Sequence, residues 1–364
     1  MLLTMNVELL QSMVAKAVKG ASCNKMIPLT SLMAIQCKEN KLTLITTDAT
    51  NYLYVTEDKI DAEDFYVVVP VEQFSKLVSK MTCTSVVLEV ADGVLEIKGN
   101  GHYKMELPLD EEGEPVKYPD PLNSLPIPPE EFSSESVKLS TMKLILNTAK
   151  AAIAPADSEV MCYKGYYIGD KVITSDSYKI CGINIPVFKE PVLLSPEMID
   201  LLAVFSDEDI SVNRWVKEGV IAFISPKCCV YGAEMDCIGD FQVGPITSFL
   251  EQEFDSSCRI PRADLLQALD RLALFVSPYD KNVITLTFSQ QGVTISSKKT
   301  TGSETIPYVE SNNFKAFTCQ LDIEMFRAQV KASSADMVDI EYGEDNAIKM
   351  KDGNVIQIVA TAED

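Results

Sequence analysis

The side chains that could do covalent or acid–base chemistry are thinly spread in this chain. Its 364 residues include one histidine, His102, in the strand-like segment Gly101-His-Tyr-Lys-Met-Glu106, which holds neither serine nor cysteine. Histidine is the commonest general base, so a nucleophile and base would have to be assembled around this one ring. The ten cysteines, at 23, 37, 83, 162, 181, 228, 229, 237, 258 and 319, never fall in a Cys-x-x-Cys spacing, and no pair of histidines or dense carboxylate motif occurs. Zinc ribbons, redox dithiols and other metal centres lose support. Glu111-Glu112 and Asp207-Glu208-Asp209 read as solvated loops, and Cys228-Cys229 falls within a strand-like run. No catalytic residue, metal or cofactor is assigned, and binding rather than catalysis is the expectation.

Cations on helices form the more informative pattern. Six stretches have helical period: Val7 to Lys19, Val71 to Lys80, Ser140 to Ala152, Ser195 to Phe205, Pro261 to Phe275 and Leu321 to Lys331. Five of them carry basic pairs: Lys16 and Lys19, Lys76 and Lys80, Lys143 and Lys150, Arg262 and Arg271, Arg327 and Lys331. Spacings of three, four and seven place partners on one helix face, whereas the nine between Arg262 and Arg271 splits that pair. These positions take ten of the 32 basic residues in a chain with 53 acidic ones and a net charge of −21. The summed field repels phosphate, yet a small basic lining inside an acidic shell still contacts nucleic acid. Ser195 to Phe205 breaks the pattern, with Glu197 and Asp200 and no cation.

The elements that must position these residues are mostly strands. Alternating or β-branched runs occur at Leu42 to Thr46, Phe65 to Val69, Val86 to Val90, Val94 to Lys98, Val220 to Ile224, Val283 to Phe288 and Val355 to Ala360. Asp92-Gly93 and Asp352-Gly353 are hairpin signals, because glycine accepts positive φ. Ser195, Pro261 and Asp322 supply helix-start chemistry. The helices near 71, 195 and 321 lie 124 and 126 residues apart. Ile45-Thr46-Thr47-Asp48, Ile173-Thr174-Ser175-Asp176 and Ile295-Ser296-Ser297-Lys298 follow at 128 and 122. A threefold repeat of helix, strands, helix, strands is predicted, giving an α+β chain with domains 1–124, 125–252 and 253–364. The proline- and acid-rich segment from Asp110 to Pro129 and the acidic stretch Glu251 to Ser257 mark the junctions. Cysteines in apolar stretches fit a reducing, cytoplasmic compartment. The N-terminus lacks a basic and apolar leader, and no run of about eighteen apolar residues occurs, so neither secretion nor membrane insertion is expected.

In order and spacing, the helix Val7 to Lys19 with Lys25-Met-Ile-Pro-Leu29, the strand Leu42 to Asp48, Ile173-Thr-Ser-Asp-Ser-Tyr-Lys-Ile180 and Ile260-Pro-Arg-Ala-Asp-Leu-Leu-Gln-Ala-Leu-Asp-Arg-Leu272 resemble the bacterial sliding clamp family. This is the beta subunit of replicative DNA polymerase III. The resemblance implies sheets outside, paired helices lining a central hole, and two subunits closing head to tail into a ring around duplex DNA at the nucleoid. Scattered cations suit a ring that slides, since phosphate contacts carry no sequence information. The resemblance adds Lys25, beside Asn24 on a loop, to the DNA-facing set. It places Leu274 and Phe275 in the dimer joint, although both also suit a core.

The resemblance further implies a pocket for short peptides of the polymerase, the clamp loader and other partners. Its near wall would hold Tyr163, Thr174, Ser177, Tyr178, Lys179 and Ile180. Ile323, Asn346, Ile358, Val359, Ala360, Thr361 and Ala362 would supply the far side. Such grooves bury a few apolar anchors while backbone groups fix register. This chain departs from the family there: Ser177-Tyr178-Lys179-Ile180 replaces the common Gly-His-Arg-Leu, and Ala360-Thr361-Ala362-Glu363-Asp364 replaces Met-Pro-Met. Small residues stand where flexible methionines are usual. The alternative is a monomeric acidic protein that binds replication proteins without encircling DNA.

Overall fold

Alternation of apolar and polar residues over short runs builds antiparallel sheets throughout the chain. The computed structural model describes residues 2–60, 62–91, 93–124, 132–276, 282–297, 302–343 and 346–362. Asp92, Lys298, Glu363, Asp364 and the linker end from residue 125 lie outside these ranges.

The chain divides into two compact units, Met1–Met142 with Glu197–Glu234, and Lys143–Pro196 with Met235–Asp364. In the first, an eight-stranded sheet runs in the order Phe65–Pro70, Leu32–Lys38, Lys41–Thr47, Asn51–Asp58, Cys228–Ala233, Val220–Ile224, Asp209–Trp215, Phe132–Lys138. A four-stranded sheet orders Leu2–Asn6, Ser85–Ala91, Val94–Lys98 and His102–Glu106. Within the second unit, a nine-stranded sheet runs Val192–Leu194, Tyr166–Ile168, Val172–Ser175, Lys179–Ile183, Val355–Ala360, Ala347–Asp352, Met337–Tyr342, Ser256–Pro261, Glu310–Asn312. Its four-stranded companion orders Ser303–Ile306, Gly292–Ser297, Val283–Ser289 and Phe317–Asp322. Each large sheet has a seam between strands far apart in sequence. Asn51–Asp58 pairs with Cys228–Ala233, and Lys179–Ile183 pairs with Val355–Ala360. Gly353, at φ +57°, turns the hairpin that ends in Val355–Ala360.

The longer helices are α1 (Val7–Ala17), α2 (Val71–Ser79), α3 (Leu139–Thr148), α4 (Pro196–Leu201), α5 (Val243–Glu251), α6 (Arg262–Leu272) and α7 (Ile323–Ala332). Six fall on the predicted stretches, and α5 was not foreseen. Asn6 caps α1 by accepting from the Leu9 amide, and Asp322 caps α7 by accepting from the Glu324 and Met325 amides. Pro261 is the residue before α6 rather than its first turn, with extended backbone. Within their own units α1 packs on α2, and α6 packs on α7. The core of the second unit joins Leu265 and Leu269 of α6 to Phe326 and Val330 of α7 over Ile340 and Val359.

Two of the three repeated strand endings share one geometry. The Thr46 hydroxyl donates to the Ala17 carbonyl at 2.6 Å, and the Thr174 hydroxyl donates to the Ala149 carbonyl at 2.7 Å; both threonines are fully buried. Each strand then enters the same turn. Asp48 Oδ1 accepts from the Thr50 and Asn51 amides, and Asp176 Oδ1 from the Tyr178 and Lys179 amides. The second turn residue, Ala49 or Ser177, has φ of +89° or +79°. An Asx turn supports this left-handed position through side-chain bonds to the backbone. Replacing Thr46 or Thr174 by valine keeps the shape and strands a buried helix carbonyl. Each substitution is predicted to cost about 1–3 kcal/mol, read as a lower denaturant midpoint at unchanged slope.

Candidate partner-binding groove

The seam between Lys179–Ile183 and Val355–Ala360 floors a groove of about 380 Å³. Ile180 and Ile358 are direct cross-strand partners and face it together with Ala360. Side chains alternate across a strand, so Lys179 and Val359, also partners, turn to the other face. There Val359 joins the core with α7, and the Lys179 ammonium donates to the Ala151 carbonyl at 2.9 Å and pairs with Asp176. The Asp176 turn raises Ser177 and Tyr178 to the rim, where Tyr178 is 63% exposed. Tyr163 stands at the opposite rim, its ring edge-on to Phe241 at 5.3 Å.

The remaining wall is α5, through Pro245, Ile246 and Phe249, with Gln242 just before it. Ile246 and Leu250 are its buried side and seat it on the sheet. The seat is close at Gly182: a Cβ there would approach Leu250 Cδ1 at 2.6 Å, so the Leu250 side chain would have to shift. Lys349, the cross-strand partner of Ile358, anchors the far end. Its buried ammonium donates to the Gln252 carbonyl at 2.7 Å, beside the Phe254 ring and Glu341. A lysine at a helix C-terminus satisfies a free carbonyl and complements the dipole. Burial first and the charge of Lys351 second hold the Lys349 pKa below its ordinary value.

Six of the thirteen residues predicted for this pocket therefore line it: Tyr163, Ser177, Tyr178, Ile180, Ile358 and Ala360. Thr174 is consumed in its bond to Ala149, and Ile323 is core at the start of α7. Asn346, Thr361 and Ala362 lie at the end of the hairpin instead: the Thr361 amide donates to Asn346, and the Ala362 amide to Gln320. Gln242, Pro245, Ile246 and Phe249 were missed. Val243, Ile246 and Leu250 do carry helical spacing, but Gly244 and Pro245 obscure it; proline is tolerated in a first turn. Among the described residues no charged side chain lines the groove. It offers apolar and aromatic surface with a few neutral polar groups, the chemistry of an anchor-binding cleft.

Comparison with solved structures bears on this architecture. The DNA polymerase sliding clamp from Bacillus subtilis superposes at a TM-score of 0.84 with 15% identity, covering 100% of this chain and 99% of that one. For the beta subunit from DNA polymerase of Streptococcus pyogenes the values are 0.86 and 17%, covering 100% of both chains. The DNA polymerase III beta subunit from Thermotoga maritima gives 0.80 and 14%, covering 100% of this chain and 99% of that one. The chain has the sliding-clamp fold. The sequence resemblance is borne out at that level. No protein-family model matches the chain, and no curated protein sequence does so significantly.

On this sliding-clamp fold the predicted DNA-facing cations divide into two groups. Lys19, Lys25, Lys76, Lys80, Lys143, Lys150 and Lys331 are exposed, and Lys16 is half-buried on α1. Lys76 pairs with Glu72 one turn back on α2. The three arginines are engaged within the chain. Arg262 donates to the Val330 and Lys331 carbonyls at the end of α7, and Arg271 forks onto Glu304 at 2.8 and 2.6 Å. Arg327 bonds Glu324 at 2.7 Å and reaches Asp270 at 3.4 Å. Leu274 and Phe275, in the turn after α6, are 81% and 54% exposed, which excludes a core role. His102 is exposed and bonds Glu96, whose carboxyl is lowered to about 2 by Lys104 first and His102 next. Burial pushes the thiols of Cys181, Cys229, Cys258 and Cys319 up to about 12, so they are held protonated as apolar filler. No helix among the described residues is long and apolar enough to cross a membrane.

Lys349→Met removes the charged bond to the Gln252 carbonyl at the end of α5. The expected result is a loss of about 1–3 kcal/mol, with amides of residues 243–252 exchanging faster than those of the strands beneath. Unchanged exchange there would show that α5 is held without this lysine.

Proposed function

We propose that this chain is a DNA sliding clamp, a processivity subunit without catalytic residues or cofactor. It encircles duplex DNA as a head-to-tail homodimer and tethers a replicative polymerase and other proteins through the groove at Ile180 and Ile358. The observation that carries the reading is the end-to-end match to bacterial sliding clamps, spanning the whole of this chain and nearly all of theirs. On this reading the three repeats are domains with boundaries near 124 and 252, and a clamp loader opens the ring.

The charge distribution supports it. The six helical stretches hold ten basic and eight acidic residues, a balance of +2 in a chain of −21, which leaves −23 on the remainder. Near-neutral to weakly basic helices inside an acidic exterior give phosphates one place to approach without a tight grip. The seven exposed lysines supply that contact, while the arginines serve structure. The uncharged groove supports capture of an apolar peptide anchor, with Tyr178 and Ala360 setting a shape different from that of a methionine-lined pocket. Leu274 and Phe275 support the joint: an ordered apolar pair beside the edge strand Ser303–Ile306 calls for a partner surface. The monomeric alternative leaves that pair in water.

Light scattering tests this directly. The wild-type chain is expected at twice the chain mass, and Leu274→Asp with Phe275→Ser is expected to weaken dimerisation about 30-fold or more. Ile180→Asp should abolish capture of a partner peptide and leave the mass unchanged. A wild-type chain that stays monomeric at high concentration would contradict the ring and favour the acidic partner-binding monomer.

A further inference from the structure

One side chain ties the floor of the groove from beneath. Gln329 is fully buried on α7, and its Nε2 donates to the Ile180 carbonyl at 3.3 Å and to the Ile358 carbonyl at 3.1 Å. These two residues are the cross-strand partners that face the groove, on strands far apart in sequence. A single amide group, with its two hydrogens, therefore spans the seam. It is presented from a fixed frame. Asp322 caps the start of α7, and Arg262 donates to the Val330 and Lys331 carbonyls at its end. Just beyond, Asp352 Oδ2 accepts from the Ser333 hydroxyl and from the Ser334 and Ala335 amides.

A buried amide is not a general demand of such a seam. In the first unit the seam lies between Asn51–Asp58 and Cys228–Ala233, and α4 holds the place in the predicted repeat that α7 holds in the second. The buried side of α4 is Met198, Ile199 and Leu201, followed by Leu202 and Val204 in the next turn, all apolar. Met198 reaches the seam strand directly: a Cβ on Gly232 would lie 2.5 Å from Met198 Cε. Gln329 also carries a cost. Its Oε1 is buried with no hydrogen-bond partner among the described residues, as is the Nε2 of Gln357, next to Ile358 on the strand. Buried polar atoms without partners destabilise a fold, so core packing alone favours an apolar side chain at this position.

We propose that Gln329 is a positioning residue for partner binding, whose amide holds the Ile180 and Ile358 carbonyls so that the two side chains above meet a peptide anchor at a fixed spacing. The proposal rests on the groove being the partner site. A strand side chain leaves the backbone in a direction set by its peptide planes, so fixing both carbonyls fixes the directions of both isoleucines. Without the amide the two strands still pair, but they can twist against each other where the anchor rests. A floor held ready costs the incoming peptide less on binding.

The test uses the full chain and a fluorescein-labelled hexapeptide with leucine and phenylalanine as its apolar anchors, titrated by fluorescence anisotropy. Gln329→Met keeps the length and removes both donors together with the unpartnered acceptor. It should weaken the peptide about tenfold, with a denaturant midpoint at or above that of the wild type. In the free protein the methyl signals of Ile180 and Ile358 should shift, while those of Ile210 and Ile221 in the first unit stay in place. Gln357→Met removes a buried amide whose nitrogen bonds neither carbonyl, and should leave the affinity unchanged. Equal affinity of Gln329→Met and the wild type would overturn the proposal. So would a loss of affinity matched by a loss of stability, or a variant that does not fold, because either makes the amide part of the scaffold. If the wild type takes up no peptide, the partner-site reading itself fails; if it binds and Gln329→Met matches it, only the role of Gln329 fails.

Discussion

A buried threonine hydroxyl at the end of a strand fixes where a helix ends, and the surfaces assigned to function hang from that bond. In the first unit Thr46 holds the end of α1, and the chain passes directly from there into the loop that carries Lys25 and Met26. In the second, Thr174 holds the turn after α3, and the same strand continues through the Asp176 turn to Tyr178 and Ile180 at the groove. Losing either bond would leave a carbonyl unpaired in a dry interior, where an unmade hydrogen bond costs more than a made one gains. The lock thus sets register between a sheet and a helix end in both copies.

Charge is arranged by a second constraint. On the proposed sliding-clamp reading, a chain of net charge −21 surrounding a polyanion needs its few cations placed where acids are absent. The described structure separates them by type. Arginines, with planar forks, bind carboxylates and carbonyls within the chain, as Arg271 does with Glu304 and Arg214 with Glu234. Lysines, as hydrated point charges on flexible stems, stay exposed on the helices and in the 21–27 loop apart from half-buried Lys16, whereas Lys179 and Lys349 turn inward onto carbonyls. On the proposed reading, that division keeps phosphate contacts weak and mobile. Three of the cations counted by helix, Arg262, Arg271 and Arg327, already have partners within the chain.

Much of the architecture was legible in the sequence because it is periodic. The strand endings Ile45-Thr46-Thr47-Asp48 and Ile173-Thr174-Ser175-Asp176 match in hydrogen bonding as well as in letters, and six helices fall where their apolar spacing put them. The groove was half legible. Ile180, Ile358 and their neighbours were named as continuous strings, but a strand shows only alternate residues to one face, so Lys179 and Val359 were carried in with them and belong elsewhere. α5 was hidden by a glycine and a proline at its start, and it meets the sheet closely at Gly182, a contact between residues far apart in sequence. The capping of α5 by Lys349 is likewise a tertiary event.

The account turns on topology: a ring that surrounds DNA is retained because it has no end to leave by, and its affinity for phosphate is secondary. Retention on circular against linearised duplex DNA after loading is the most direct measurement. The account predicts that the protein stays with circular DNA through a high-salt wash and is lost when the same molecule is cut once. Equal loss from circular and linear DNA, or equal retention on both, would contradict encirclement.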